Sequence, residues 1–170
     1  MAGDEFNIVE GPALQQLQTL GWDYMDGTLL NPEESDERDS LKDVVLQKRF
    51  TESVQRLNPW ISDENLRKVV RDLTKTLYTN LVEANQAIWT QINQSVSVMQ
   101  DLGKGNKGQT VHIIDFDNLD NNEFLCTNQF KVSGVNQNII PDILCFVNGL
   151  PLAVIECKSP YITNPMEAGI

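Results

Sequence analysis

Apolar residues recur at helical spacing through the first half of the chain and fall into short runs after it, so the chain reads as helices first and strands last. Val9, Ala13, Leu14, Leu17 and Leu20 share one side of a helix over 9–20, with Pro12 in its first turn and Gly21 at its end. The polar stretch before it predicts a frayed start. Trp22 to Met25 predicts a short strand, and Asp26-Gly27 turns out of it. Leu41, Val44, Val45, Val54 and Leu57 can line one face of a helix over 41–57, which Asn58-Pro59 stops. Ser62 caps the next helix, with Asp63, Glu64 and Asn65 in its first turn. Leu66, Val69, Val70, Leu73 and Leu77 form its buried stripe, and Arg67, Lys68, Arg71 and Lys75 its outer face. A helix over 81–99 sets Ala84, Ile88, Ile92 and Val96 near one side.

The period then changes. GKGNKG over 103–108 reads as a turn, without the spacing or the Gly-Lys-Ser/Thr ending of a phosphate-binding loop. Stretches 110–116 and 124–132 predict strands, with a turn over 118–122 between them. From Pro141 to Pro160, PDILCFVNGLPLAVIECKSP, two apolar runs flank Asn148-Gly149, a hairpin signal. This order predicts an α/β fold, a mixed sheet of four or five strands flanked by helices.

Three ionisable residues sit in that otherwise apolar hairpin: Asp142, Glu156 and Lys158. Unpaired buried charge costs several kcal/mol, so such groups are paired, protonated or metal-bound. Glu156 and Lys158 are two apart and share a strand face. Asp142 joins them only if the register slips by one. A strict two-residue loop pairs Val147 with Leu150 and sets Asp142 opposite Ile155, on the wrong face. An odd-length loop or a bulge brings it round. The pattern predicts one of these two. Two carboxylates on one face would then make a hard-oxygen site suited to Mg²⁺ or Mn²⁺, with a lysine to orient water or offset developing negative charge. The same three groups could instead form an ion pair capping a strand end.

Composition narrows the field. A chain of 170 residues with 41% hydrophobic content suits one folded domain. No apolar run is long enough to span a bilayer and no leader opens the chain, so a cytoplasmic location without membrane is expected. Cys126, Cys145 and Cys157 lack metal-ligand spacing and read as buried free thiols, with Cys157 facing away from Glu156 and Lys158. His112 is the sole histidine, has no nucleophile motif beside it, and reads as strand padding. The net charge of −11 argues against nucleic-acid binding by this domain alone. Its distribution is uneven: residues 1–40 hold ten acids against one base, whereas 41–80 hold eight bases against five acids. The acidic run over 30–39 reads as a solvated surface, and the basic helices as solvated faces or as a phosphate-tracking or docking face. Glu10 lies at a helix start, where a carboxylate favours the dipole. Asp115 and Asp117 read as strand-end polar residues, and Gln129 as either a strand-edge residue or a substrate contact.

Pro-Asp followed by Glu-x-Lys resembles the PD-(D/E)xK nuclease superfamily. The surrounding order, an apolar run, Asn-Gly-x-Pro-Leu, a second apolar run and Glu-x-Lys-x-Pro, resembles the restriction (R) subunit of type I restriction–modification enzymes. NEFLCTNQFKV over 122–132 looks like that family's preceding strand, and Glu10 to Tyr24 like its first helix and strand. The resemblance implies a restriction-endonuclease-like sheet, with Asp142 and Glu156 as metal ligands, Lys158 as the catalytic lysine and Glu10 leaning into the metal site. It implies Mg²⁺-dependent cleavage of double-stranded DNA, with modification and specificity subunits as partners and ATP used in a translocase region. No Gln-x-x-x-Tyr motif follows Lys158 and no Walker sequence is present, so the 170 residues read as the N-terminal nuclease domain of a longer subunit, cut before its last helix. Two rivals are another nuclease of the same superfamily and a silent nuclease-like assembly module. Against the second, all three site letters are intact.

Overall fold

Leucines and valines every three or four residues need a wall to bury themselves against, and in this protein the wall is a sheet. The computed structural model describes residues 6–74, 80–94, 96–134, 136–159 and 161. Along them run β1 (Asp23–Asp26), β2 (Val96–Asp101), β3 (Asn106–Val111), β4 (Phe124–Asn128), β5 (Val132–Ser133), β6 (Asn138–Ile139), β7 (Ile143–Val147) and β8 (Leu150–Ile155). The helices are α1 (Gly11–Thr19), α2 (Gln47–Leu57), α3 (Asp63–Thr74) and α4 (Leu81–Gln94). The central sheet has the order β1-β4-β7-β8; β2-β3 and β5-β6 are separate antiparallel ribbons. β1 runs parallel to β4, with Asp23 opposite Leu125 and Asp26 opposite Asn128. The other pairings are antiparallel, so the sheet is mixed as expected.

Alternation along the strands sends side chains to two different clusters. Cys126, Ile143 and Cys145 pack with Leu14 and Leu17 of α1 and with Cys157. Leu125, Leu144 and Phe146 point the other way, against Leu30, Leu46 and Phe130. Both faces are therefore covered, which is why β7, ILCFV, is apolar at every position and buried throughout. Phe50 and Val54 of α2 join α3, β2, β3 and the hairpin end residues Val147 and Leu150 in a further cluster.

Several expected boundaries move, each for a packing reason. α2 begins at Gln47 rather than Leu41. Leu46 is needed in the core beside Phe130, and its N–H donates to the Gly149 carbonyl at 3.0 Å, so the segment before α2 is not helical. Val96 and Met99 belong to β2, because α4 stops at Gln94. The four-residue step from Ile92 to Val96 mimics a helix, but Val96 and Val98 alternate with Ser97 as a strand does. β3 starts inside the predicted turn, at Asn106, and ends at Val111 short of the predicted Phe116. α1 is preceded by a π-type turn at Phe6–Glu10, and Leu20 is exposed beyond the helix end. β4 stops at Asn128, before the predicted Val132. The acidic loop is not wholly solvated. Arg38 is 2% exposed. Its guanidinium donates to Leu30 O at 2.8 Å and Asn31 Oδ1 at 3.0 Å and lies 4.0 Å over the Phe130 ring. Expectations for Lys75, Leu77, the Ala84 side chain, residues 1–5 and the stretch after Tyr161 fall outside the described residues.

Two buried asparagines join these parts. Asn58 Nδ2 donates to Val54 O and His112 O while its Oδ1 accepts from His112 N, tying the end of α2 to the segment after β3. Asn148, 0% exposed with φ +52°, donates through Nδ2 to Ile113 O and Asn122 Oδ1 and accepts from Glu123 N. Gly149 beside it has φ +82°, and a Cβ there would lie 2.7 Å from Leu46 O. The hairpin tip is thus pressed onto the start of α2, and only glycine fits.

Two outcomes are expected. Asn148→Ala strands hydrogen-bond partners on three residues of two segments and lowers unfolding stability by about 3 kcal/mol in urea titration. Burial pushes the Cys126 thiol up to about 11, with Cys145 opposite it adding to the shift. The unfolded thiol ionises first, so this contribution is intact below pH 9 and lost as pH rises toward 11. Melts across that range on wild type and Cys126→Ala check the sign, the wild type losing more stability than the variant.

Candidate functional site

The β7–β8 hairpin has a strict two-residue turn, Asn148-Gly149, with Val147 opposite Leu150 and Phe146 opposite Pro151. Cys145 then faces Ala153, so Leu152 is a bulge residue with no partner across the ladder. Beyond it Leu144 pairs with Val154 and Ile143 with Ile155. Carried one step further, this register puts Asp142 opposite Glu156 rather than Ile155. Of the two devices the sequence allowed, the chain uses the bulge.

Asp142 is held by the backbone. Its Oδ2 accepts from Cys157 N at 2.6 Å. Cys157 is 4% exposed in the α1 cluster, while Glu156 is exposed, so the two neighbours do point apart. Lys158 Nζ lies 3.7 Å from Glu156 Oε2, with their side chains 28% and 50% exposed. A pair that open to water contributes little to stability. Glu156 also borders an apolar groove of about 380 Å³ lined by Ile139, Leu144, Leu152 and Val154.

Glu10 is bonded on the α1 side. It is 7% exposed, at the N-cap of α1 without a capping bond, and its Oε1 accepts from Asn128 Nδ2 at 2.8 Å. Asn128 Oδ1 accepts from Tyr24 OH at 2.8 Å. This relay lies at the same end of the sheet as Asp142, on the α1 side. Burial raises the Tyr24 pKa, with Asp26, Cys126 and Glu10 adding to it, so the phenol stays a donor. Sequence reading missed Asn128 and Tyr24; the available signal was an asparagine ending the apolar run FLCTN. Asp115 caps its own loop, accepting from Asp117 N, Asn118 N and Asn121 Nδ2, which holds its carboxyl below the usual range, the Asn121 bond foremost. Gln129 is exposed at the end of β4 with φ +55°. His112 bonds Asn58 through its backbone N–H and carbonyl.

Among the described residues no group of three Asp, Glu, His or Cys side chains is gathered closely enough to cage a cation. Mg²⁺ does not require one, since it keeps several waters and takes one or two carboxylates plus substrate phosphate. Two hard-oxygen donors on neighbouring strand ends, one of them open to solvent, fit that demand.

The sequence matches the family model "Type I restriction enzyme R protein N terminus" over residues 4–170. It is similar to the putative type I restriction enzyme MjaIXP endonuclease subunit of Methanocaldococcus jannaschii, 34% identical over 160 residues, 92% of this chain and 15% of that one. It is also similar to the type I restriction enzyme HindI endonuclease subunit of Haemophilus influenzae, 36% identical over 156 residues, 91% of this chain and 15% of that one. The chain thus spans about a seventh of the length of these relatives. With an α/β architecture, a hairpin carrying the Pro-Asp and Glu-x-Lys letters and a match over almost its whole length, the chain belongs to the family of type I restriction enzyme R protein N-terminal regions.

Proposed function

We propose that this chain is the part of a type I restriction enzyme that hydrolyses phosphodiester bonds of double-stranded DNA with Mg²⁺ or Mn²⁺. The observation that carries the reading is the Leu152 bulge, without which Asp142 and Glu156 would stand on opposite faces. Asp142 and Glu156 would hold the cation, which when bound supplies Lewis-acid stabilisation of the phosphate and a more acidic water. The Cys157 N–H keeps Asp142 in one rotamer, leaving its second oxygen for other partners. Lys158 brings an ammonium next to Glu156, close enough to shift onto a phosphate oxygen or an attacking water as negative charge develops. Glu10 enters this reading as a contributor through Oε2, since Asn128 engages its Oε1.

The rest of the activity belongs to other parts. A chain with net charge −11 holds DNA poorly by itself, so specificity and modification subunits would select and place the duplex. ATP would be used in a translocase region of the longer polypeptide. The assembly would work in the cytoplasm; among the described residues no helix is long and apolar enough to cross a membrane.

Calorimetric titration with Mn²⁺ tests the site directly. Heat that saturates in the wild type is expected to vanish in Asp142→Ala and in Glu156→Ala. Lys158→Ala is expected to keep the heat and to lose duplex cleavage by at least about a hundredfold. A silent assembly module would give no Mn²⁺ heat in any form. Deleting Leu152 removes the bulge and returns Asp142 to a place opposite Ile155. The expected result is a folded protein by circular dichroism that binds no Mn²⁺; unchanged binding would sink the register argument.

A further inference from the structure

Gln129 has φ +55°, and the other non-glycine residue with positive φ among the described residues is Asn148, in the hairpin turn. Asparagine enters the left-handed region readily; glutamine does so at a cost, and a retained outlier of this kind needs a reason. The cause is visible on either side. Cys126 and Asn128 face α1, the second through its bond to Glu10. Regular alternation would send Phe130 the same way. Instead Phe130 is fully buried in the opposite cluster, 5.3 Å from the Phe146 ring and under Arg38. The left-handed residue makes that switch. Gly27 presses against it, since a Cβ there would lie 2.4 Å from Asn128 O and 2.7 Å from Phe130 Cα. Both neighbours are pinned, and Gln129 is left exposed between them.

Its place in the sheet adds the second observation. Gln129 follows the last residue of β4, Asp142 precedes the first of β7 and Glu156 follows the last of β8, so the three flank the same end of three adjacent strands. Irregularities that re-aim one side chain at a strand end recur beside active sites. A carboxamide there offers donors without adding charge of either sign beside two carboxylates. Backbone strain supplies the argument against a purely structural role: glycine would make the same turn more cheaply.

We propose that Gln129 contacts the substrate, its Nε2 donating to a non-bridging oxygen of the DNA backbone and setting the position of that strand against Asp142 and Glu156. This rests on the nuclease reading above and names a contact that reading lacks.

The test uses the natural full-length protein and a linear duplex. Cleavage is followed with Mg²⁺, and binding by anisotropy with Ca²⁺ in its place. Gln129→Gly is expected to raise the thermal midpoint and yet cut cleavage and duplex affinity about tenfold or more, the size of a lost hydrogen bond to a charged group. Gln129→Asn, which tolerates the conformation and keeps an amide, should recover part of both. Wild-type cleavage and affinity in Gln129→Gly, with Asp142→Ala inactive, would overturn this inference and leave the nuclease reading standing. So would a midpoint and an activity that fall together, since the residue would then act through folding. Full cleavage by Asp142→Ala, or none by the wild type with either Mg²⁺ or Mn²⁺, would remove the nuclease reading and this contact with it.

Discussion

One surplus residue sets the register of the central hairpin. A β-strand alternates faces at every step, so a single unpaired position in a hairpin inverts everything beyond it. Leu152 is that position. On its turn side the ladder follows the strict Asn148-Gly149 register. On its far side Asp142 is lined up with Glu156. The bulge can sit there because the tip cannot slide: Asn148 is bonded to three residues of two segments and Gly149 is seated on the start of α2. With the turn clamped and Ile143, Cys145 and Cys157 committed to the α1 cluster, the extra residue has to be absorbed between them.

The end of the sheet that carries Asp142 is rigid for reasons independent of any metal. Asn128 is held between Tyr24 and Glu10, Phe130 between Phe146 and Arg38, and Asp142 by the Cys157 amide. Side chains locked this way hold a constellation in place without needing the ligand to organise it. The hydrophilic members of the row, Gln129, Glu156 and Lys158, are the ones left partly open to water.

Charge is spread less wastefully than the net value of −11 suggests. Part of the acidic first segment is internal: Glu37 is buried against Arg49, which also meets Glu123, and Arg38 fills an aromatic and carbonyl-lined hole. These contacts fold the acidic loop back onto α2 and the hairpin tip. Glu33, Glu34, Asp36 and Asp39 face solvent, and the chain spans only about a seventh of the length of its relatives.

The residues of the hairpin announced much of this by themselves. Pro-Asp, Asn-Gly and Glu-x-Lys in an apolar setting identified the family, the elements and the need for a register slip, because turn chemistry and side-chain period are local properties. The α/β class was legible for the same reason. Long-range packing decided the rest. Whether the slip would be a loop or a bulge depended on what clamps the turn. Where α2 begins depended on the core's use of Leu46, and α4 gave way to β2 because Val98 had a wall to face and Ser97 did not. The resemblance implies that Glu10 leans toward the metal; its bond to Asn128, a partner more than a hundred positions away, is one that no spacing rule could have named. Period and turn are written along the chain; a buried polar partner is chosen only when distant segments close on one another, since that is when desolvation makes the choice compulsory.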